Sequence, residues 1–227
     1  MANENALKII FQKHAPADRI IAFSKCFTGR TLALASLTDK AAYRDGIPAA
    51  LNVSYLPYVD TADVDKSIAS AIKHLHLHLN RYKGKVAGVM FEIVQGEGGY
   101  NAGDAKFHKA LMEECKTHGL AVFADEIQTF GRTNQPFAFQ HYGLDEYIDV
   151  VAVGKMSQVC ATLFKADYAP RPGLVSQTFT GASPQIHAAL EMLSRMNDGG
   201  WFGDAGTNAT IRDRFEMGIK KINAKHP

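Results

Sequence analysis

Lys155 closes the apolar run Val150-Val151-Ala152-Val153-Gly154. An amine at the end of four apolar residues stands at a hydrophobic boundary, where partial desolvation lowers its pKa and makes it a usable nucleophile. Lysines end many buried strands without doing chemistry, so the argument turns on what else the chain brings beside it. Asp125 ends a second apolar run, Leu120-Ala121-Val122-Phe123-Ala124, and Glu92 ends a third, Val86-Ala87-Gly88-Val89-Met90-Phe91. Phe27 lies in the polar loop Ser24-Lys25-Cys26-Phe27-Thr28-Gly29-Arg30-Thr31, which follows a fourth run, Arg19-Ile20-Ile21-Ala22-Phe23. The glycine-rich turn Gln95-Gly96-Glu97-Gly98-Gly99 comes just after Glu92.

These apolar runs alternate with amphipathic segments. Ala6, Leu7, Ile10 and Phe11 have helical spacing, as do Val64, Ile68, Ala71, Ile72, Leu75 and Leu79 in a long helix expected to start at Asp60 or Thr61. Asp104 can cap a helix whose inner stripe is Phe107, Leu111, Cys115 and His118, with Gly119 as its stop. Residues 32–37 could continue as helix, residues 48–57 read as a loop and a poorly patterned extended stretch, and residues 160–165 as an adjacent strand that can run antiparallel. Two further helices carry Ile186, Ala189, Leu190 and Leu193, then Ile211, Phe215, Ile219 and Ile222, on either side of Gly199-Gly200. Continuous apolar strands alternating with amphipathic helices predict an α/β fold, a mostly parallel sheet with helices on both faces. Ligands bind such sheets at the C-terminal strand ends. Phe27, Glu92, Asp125 and Lys155 all fall there, and their convergence is more specific than any one of them.

Composition narrows the classes of function. The 227 residues are 46% hydrophobic and 21% charged, as in a soluble globular protein, with a net charge of +2. That charge makes no case for nucleic acid or membrane partners. Cys26, Cys115 and Cys160 lie far apart without CxxC spacing, which suggests free thiols in a reducing compartment. With no membrane-length apolar run and no signal-peptide pattern, a cytoplasmic location is the expectation. On a helix, His74 and His78 share a face and His76 does not, so a three-ligand site would need a strand there, and no metal is expected. No GxGxxG or Walker loop follows any strand, which ranks a generic nucleotide-binding protein last.

A lysine able to form a Schiff base and a carboxylate able to pair with a ring nitrogen are the two protein groups that pyridoxal 5'-phosphate (PLP) requires; an aromatic supplies a stacking platform. Lys155, Asp125 and Phe27 provide one of each. The run Ala124-Asp125-Glu126-Ile127-Gln128-Thr129-Phe130-Gly131-Arg132-Thr133 also resembles the cofactor motif of class III aminotransferases, the ornithine, acetylornithine and 4-aminobutyrate group. Glu92-Ile93-Val94-Gln95-Gly96-Glu97-Gly98-Gly99, Phe27-Thr28-Gly29-Arg30-Thr31 and Val153-Gly154-Lys155 match three more of its motifs in order. The resemblance spans nearly the whole chain and implies the fold-type-I PLP-dependent transferase architecture.

By that resemblance Asp125 would pair with the pyridine nitrogen, Gln128 would bond the ring hydroxyl, and Ile127 and Phe27 would sandwich the ring, with Thr28 beside it. Lys155 would hold the cofactor and, once displaced by an amino substrate, would move a proton as base and then acid. Glu97 would pair with a substrate-binding arginine, with Glu92 behind it. Thr178 or Thr180 would reach the cofactor phosphate of a neighbouring subunit, which implies a homodimer. The implied partners are a small-molecule amino donor and a 2-oxo acid.

Some positions depart from the family pattern. Ile93 stands where proline is usual, Thr28 where histidine is, and a glycine is missing between Thr129 and Phe130; Gln158-Val159-Cys160 is closer to the lysine 6-aminotransferase branch. Ala2-Asn3-Glu4-Asn5-Ala6-Leu7-Lys8 matches the helix that follows the family's phosphate-binding turn, and that turn would lie ahead of Met1. Residues 1–198 are thus expected to be a PLP-binding large domain, incomplete at its N-terminus, with residues 199–227 a linker and helix toward a C-terminal small domain. The expectation for the chain by itself is weak PLP binding and no transamination. Competing expectations are an aminomutase of the glutamate-semialdehyde type and a non-catalytic remnant that dimerises or scaffolds.

Overall fold

The computed structural model describes residues 1–178 and 181–226. In chain order the elements are α1 (Ala2–Lys13), β1 (Arg19–Phe23), α2 (Leu32–Leu37), β2 (Asn52–Leu56), α3 (Val64–Arg81), β3 (Val86–Phe91), α4 (Ala105–Thr117), β4 (Ala121–Asp125), α5 (Ala138–His141), β5 (Val150–Val153), β6 (Ala161–Phe164), α6 (Ser183–Asp198) and α7 (Thr207–Lys225). The strands form one sheet in the order β2-β1-β3-β4-β5-β6. All neighbours run parallel except β6, which turns back along β5 with Val151 opposite Leu163.

Successive side chains on a strand point to opposite faces, so the central strands feed two cores. Ile20, Ala22, Met90, Phe123, Val150 and Ala152 face α1, whose Ala6, Leu7 and Ile10 are buried against them. Ile21, Phe23, Val89, Phe91, Val122 and Val151 face α3 and α4, meeting Leu75, Phe107, Leu111 and Cys115. β3, β4 and β5 are buried along their whole length, which is why they read as unbroken apolar runs.

Several expectations need correction. The poorly patterned extended stretch expected within residues 48–57 is the edge strand β2 at Asn52–Leu56, which needs only its bounds and pairing added; its Ser54 interrupts the apolar pattern and meets Arg19 Nη1 at 3.2 Å. α3 starts at Val64 rather than Asp60 or Thr61, because Asp63 caps it by accepting the Lys66 N–H at 3.1 Å. His118 is not on the inner stripe of α4; it is the exposed C-cap, and His108 and Met112 are buried instead. The stripe of α7 exists but Ile211, Phe215, Ile219 and Ile222 are exposed. Among the described residues no helix is long and apolar enough to cross a membrane.

Candidate active site

Parallel register puts the ends of β1, β3, β4 and β5 along one edge of the sheet, with Phe91 beside Ala124 and Asp125 beside Ala152. α1 runs back toward β1, so its N-terminus opens on the same edge. The result is a cavity of about 200 Å³ whose lining includes Asn3, Phe27, Thr28, Glu92, Glu97, Asp125, Ile127, Gln128 and Lys155. Eight of the ten side chains singled out from the sequence therefore meet in one place.

Asp125 is buried at the tip of β4, and both its oxygens are held. Oδ1 accepts the Ile127 N–H at 3.0 Å, and Oδ2 accepts from Asn3 Nδ2 at 2.7 Å. Those bonds favour the anion, but burial outweighs them and pushes the carboxyl up to about 6. Glu92 is buried nearby, with Oε2 accepting the Phe27 N–H at 2.8 Å. Burial, and then the negative charge of Asp125, push it up to about 8. Two carboxylates held above their ordinary range mark an edge short of positive charge, and a cationic ring nitrogen would supply it.

Lys155 departs from its expectation. Its side chain is exposed rather than desolvated at a hydrophobic boundary, because β5 ends at Val153 and the chain turns outward. The residue adopts φ +52°, a left-handed conformation uncommon outside glycine, and a single 3-10 turn follows it. That turn aims Nζ at Gln128, whose Oε1 accepts from it. Gly154 allows the approach of the next loop: a Cβ there would lie 2.9 Å from Ile127 Cδ1 and 3.0 Å from Cys160 Sγ.

The other candidates take distinct positions. Phe27 is half-buried, with its ring edge-on to Tyr43 at 5.9 Å. Thr28 lines the cavity, but its hydroxyl is spent on the Leu34 carbonyl at 3.2 Å and on Thr38, so it holds the loop. Glu97 sits exposed on the rim. Thr178 is exposed and outside the cavity lining, and Thr180 lies outside the described residues. Two residues were missed. Asn3 ties the Thr28 carbonyl to Asp125, both at 2.7 Å. Glu126, fully buried, accepts the Ala138 and Phe139 N–H groups and the Thr129 hydroxyl, which fastens the loop behind Gln128. A carboxylate after Asp125 was visible in the sequence; the direction of its bonds was not.

The family model for class-III aminotransferases matches residues 1–226. The chain belongs to that family. An acetylornithine aminotransferase of Bacillus subtilis is 34% identical over 239 residues, covering 99% of this chain and 58% of the relative. A 2-aminoadipate transaminase of Pseudomonas putida is 36% identical over 207 residues, covering 87% and 49%. The lysine aminotransferase of M. tuberculosis superposes with a TM-score of 0.86 at 23% identity, covering 98% of this chain and 57% of that one. This class-III aminotransferase chain therefore spans just over half the length of relatives that it matches almost end to end. The sheet and its flanking helices are the fold-type-I arrangement, and the family works with PLP. The residues here fit that group: a buried, oriented carboxylate for a pyridinium, a lysine paired with an amide oxygen, apolar Ile127 and Phe27, and the positive end of α1 for a phosphate.

Proposed function

We propose that this chain supplies the cofactor pocket of a PLP-dependent aminotransferase that moves an amino group from an amino acid or ω-amino acid to a 2-oxo acid. The observation that carries the reading is the buried Asp125 carboxylate, oriented by Asn3 and Ile127 in the cavity that also holds Lys155 and Gln128. Asp125 would hold the proton on the ring nitrogen, Gln128 would accept from the ring hydroxyl, and Ile127 and Phe27 would cover the ring faces. Lys155 would hold the cofactor through Nζ. When bound, PLP supplies the electron sink that stabilises negative charge at the substrate carbon bearing the amino group. Lys155 Nζ, exposed at the cavity, would act as base toward that carbon and then as acid, delivering the proton to the cofactor's aldehyde carbon.

Glu97 on the rim would orient the substrate, and Glu92 would hold the Phe27 loop through its backbone N–H. The relatives' names, acetylornithine, 2-aminoadipate and lysine, describe amino groups on aliphatic chains that carry a carboxylate, and the same donor class is proposed here. Residues 1–198 would be the cofactor domain and 199–227 a linker and helix. A homodimer in the cytoplasm, with Thr178 or Thr180 directed to the partner's phosphate, completes the reading.

Titrating PLP into the purified chain tests it. A visible-edge absorbance band should form in wild type, be absent in Lys155→Ala and weaken in Asp125→Ala. Identical spectra in wild type and Lys155→Ala would sink the assignment, and no band in wild type at any PLP concentration would favour the remnant.

A further inference from the structure

On the face of the sheet covered by α3 and α4, three side chains bring metal-binding atoms together where the two helices pack. His76 Nε2 lies 2.5 Å from Glu114 Oε1, and His118 Nε2 lies 3.0 Å from the same oxygen. The two imidazole rings are edge-on with centroids 5.4 Å apart, and one donor atom from each of the three residues lies within 4.8 Å of the others. The geometry points to a divalent transition-metal site, taking zinc(II), formed by His76, Glu114 and His118 and joining α3 to α4.

Glu114 and His118 are four residues apart, so they share one face at the end of α4, and His76 reaches them from α3. Zinc bonds of about 2.0–2.2 Å in a tetrahedral shell place ligand atoms roughly 3.3 Å apart, and the two nitrogen–oxygen spacings here, 2.5 and 3.0 Å, are somewhat shorter. The three side chains are 46%, 24% and 39% exposed, so an ion enters directly and water takes the fourth position. A carboxylate oxygen can only accept, so each Nε2 bonded to it carries hydrogen, and metal binding requires the Nδ1–H tautomer, which frees the Nε2 lone pair. Two imidazoles and one carboxylate suit zinc, copper or nickel rather than magnesium or calcium.

The site is not the three-histidine one weighed on α3. His74 Nδ1 is 2.8 Å from the Ser70 carbonyl and His78 Nε2 is 3.3 Å from the Tyr55 carbonyl, each turned away from His76. It is also separate from the cofactor pocket, since His118 precedes the start of β4 and Asp125 lies at its far end.

Isothermal titration of zinc chloride into the Cys160→Ser chain, which removes the exposed thiol as a competing ligand, tests the site. One equivalent should bind, and the affinity should fall by about tenfold or more in both His76→Ala and His118→Ala while His74→Ala binds as the parent does. Copper(II) loaded in place of zinc should show two nitrogen couplings by electron paramagnetic resonance, reduced to one in each single variant. Metal-free melting of the variants at the parent temperature excludes misfolding, and zinc should raise the midpoint only where all three ligands are present. Absence of a one-equivalent isotherm in the parent, or an unchanged isotherm in the His76→Ala/His118→Ala double variant, would overturn the proposal.

Discussion

Replacing Asp125 by asparagine should change the pH dependence of stability. Burial lifts this carboxyl from an ordinary 3.8 to about 6 even though Ile127 and Asn3 donate to it. The folded chain therefore holds the proton more tightly than the unfolded chain. The associated stability is fully present below an unfolded-state pKa of about 4 and is lost as pH rises through about 6. Two units at ~1.4 kcal/mol each give a total of ~3 kcal/mol, of which ~2 kcal/mol falls between about pH 4.5 and 7.5. Asparagine does not titrate, so urea unfolding across that range should show wild type losing ~2 kcal/mol relative to Asp125→Asn. Glu92 works in the same direction, because losing the Asp125 charge removes one of the causes that raise it. The difference is thus a floor. PLP should narrow the gap at the upper end by giving the wild-type carboxylate a cation, which asparagine does not pair with. Parallel stability curves for the two proteins would refute the electrostatic account of the pocket.

Three more substitutions follow from the geometry. Asn3→Ala removes the donor shared by Asp125 and the Thr28 carbonyl and should cost ~2 kcal/mol in urea unfolding, with the Asp125 titration midpoint by carboxyl NMR moving further up. Glu126→Gln sets an amide N–H against one of the two backbone N–H groups at the start of α5 and should cost ~2 kcal/mol, with hydrogen exchange quickening first at Ala138 and Phe139. Gly154→Ala places a methyl 2.9 Å from Ile127 Cδ1. It should destabilise by ~1–3 kcal/mol and weaken PLP binding as Ile127 is pushed aside, measured by melting and by absorbance titration.

The strand ends were legible because a strand buried on both faces leaves an apolar run with an abrupt polar end, and parallel order brings those ends to one edge. Asp125 and Glu92 were found in that way. Lys155 was found too, but its environment was misread: four apolar neighbours say nothing of the φ +52° turn that points Nζ at Gln128 and leaves the side chain exposed. Asn3 was invisible because its partner stands 122 residues away, and nothing local encodes such a contact. His118 was placed one position too deep, since a C-cap keeps the helical spacing after the packing has stopped. Thr28 reads as a pocket residue in the loop, yet its hydroxyl turns inward to the Leu34 carbonyl. β2 was obscured by Ser54, a polar residue at a buried position whose hydroxyl accepts from Arg19 of the neighbouring strand β1.

The central claim is that Lys155 is the residue that holds PLP. Borohydride trapping of the chain mixed with equimolar PLP, followed by peptide mapping, tests it most directly. The account predicts one phosphopyridoxyl adduct, on the peptide containing Lys155, lost in Lys155→Ala and reduced in Asp125→Ala. Adducts scattered over surface lysines, unchanged by Lys155→Ala, would contradict it.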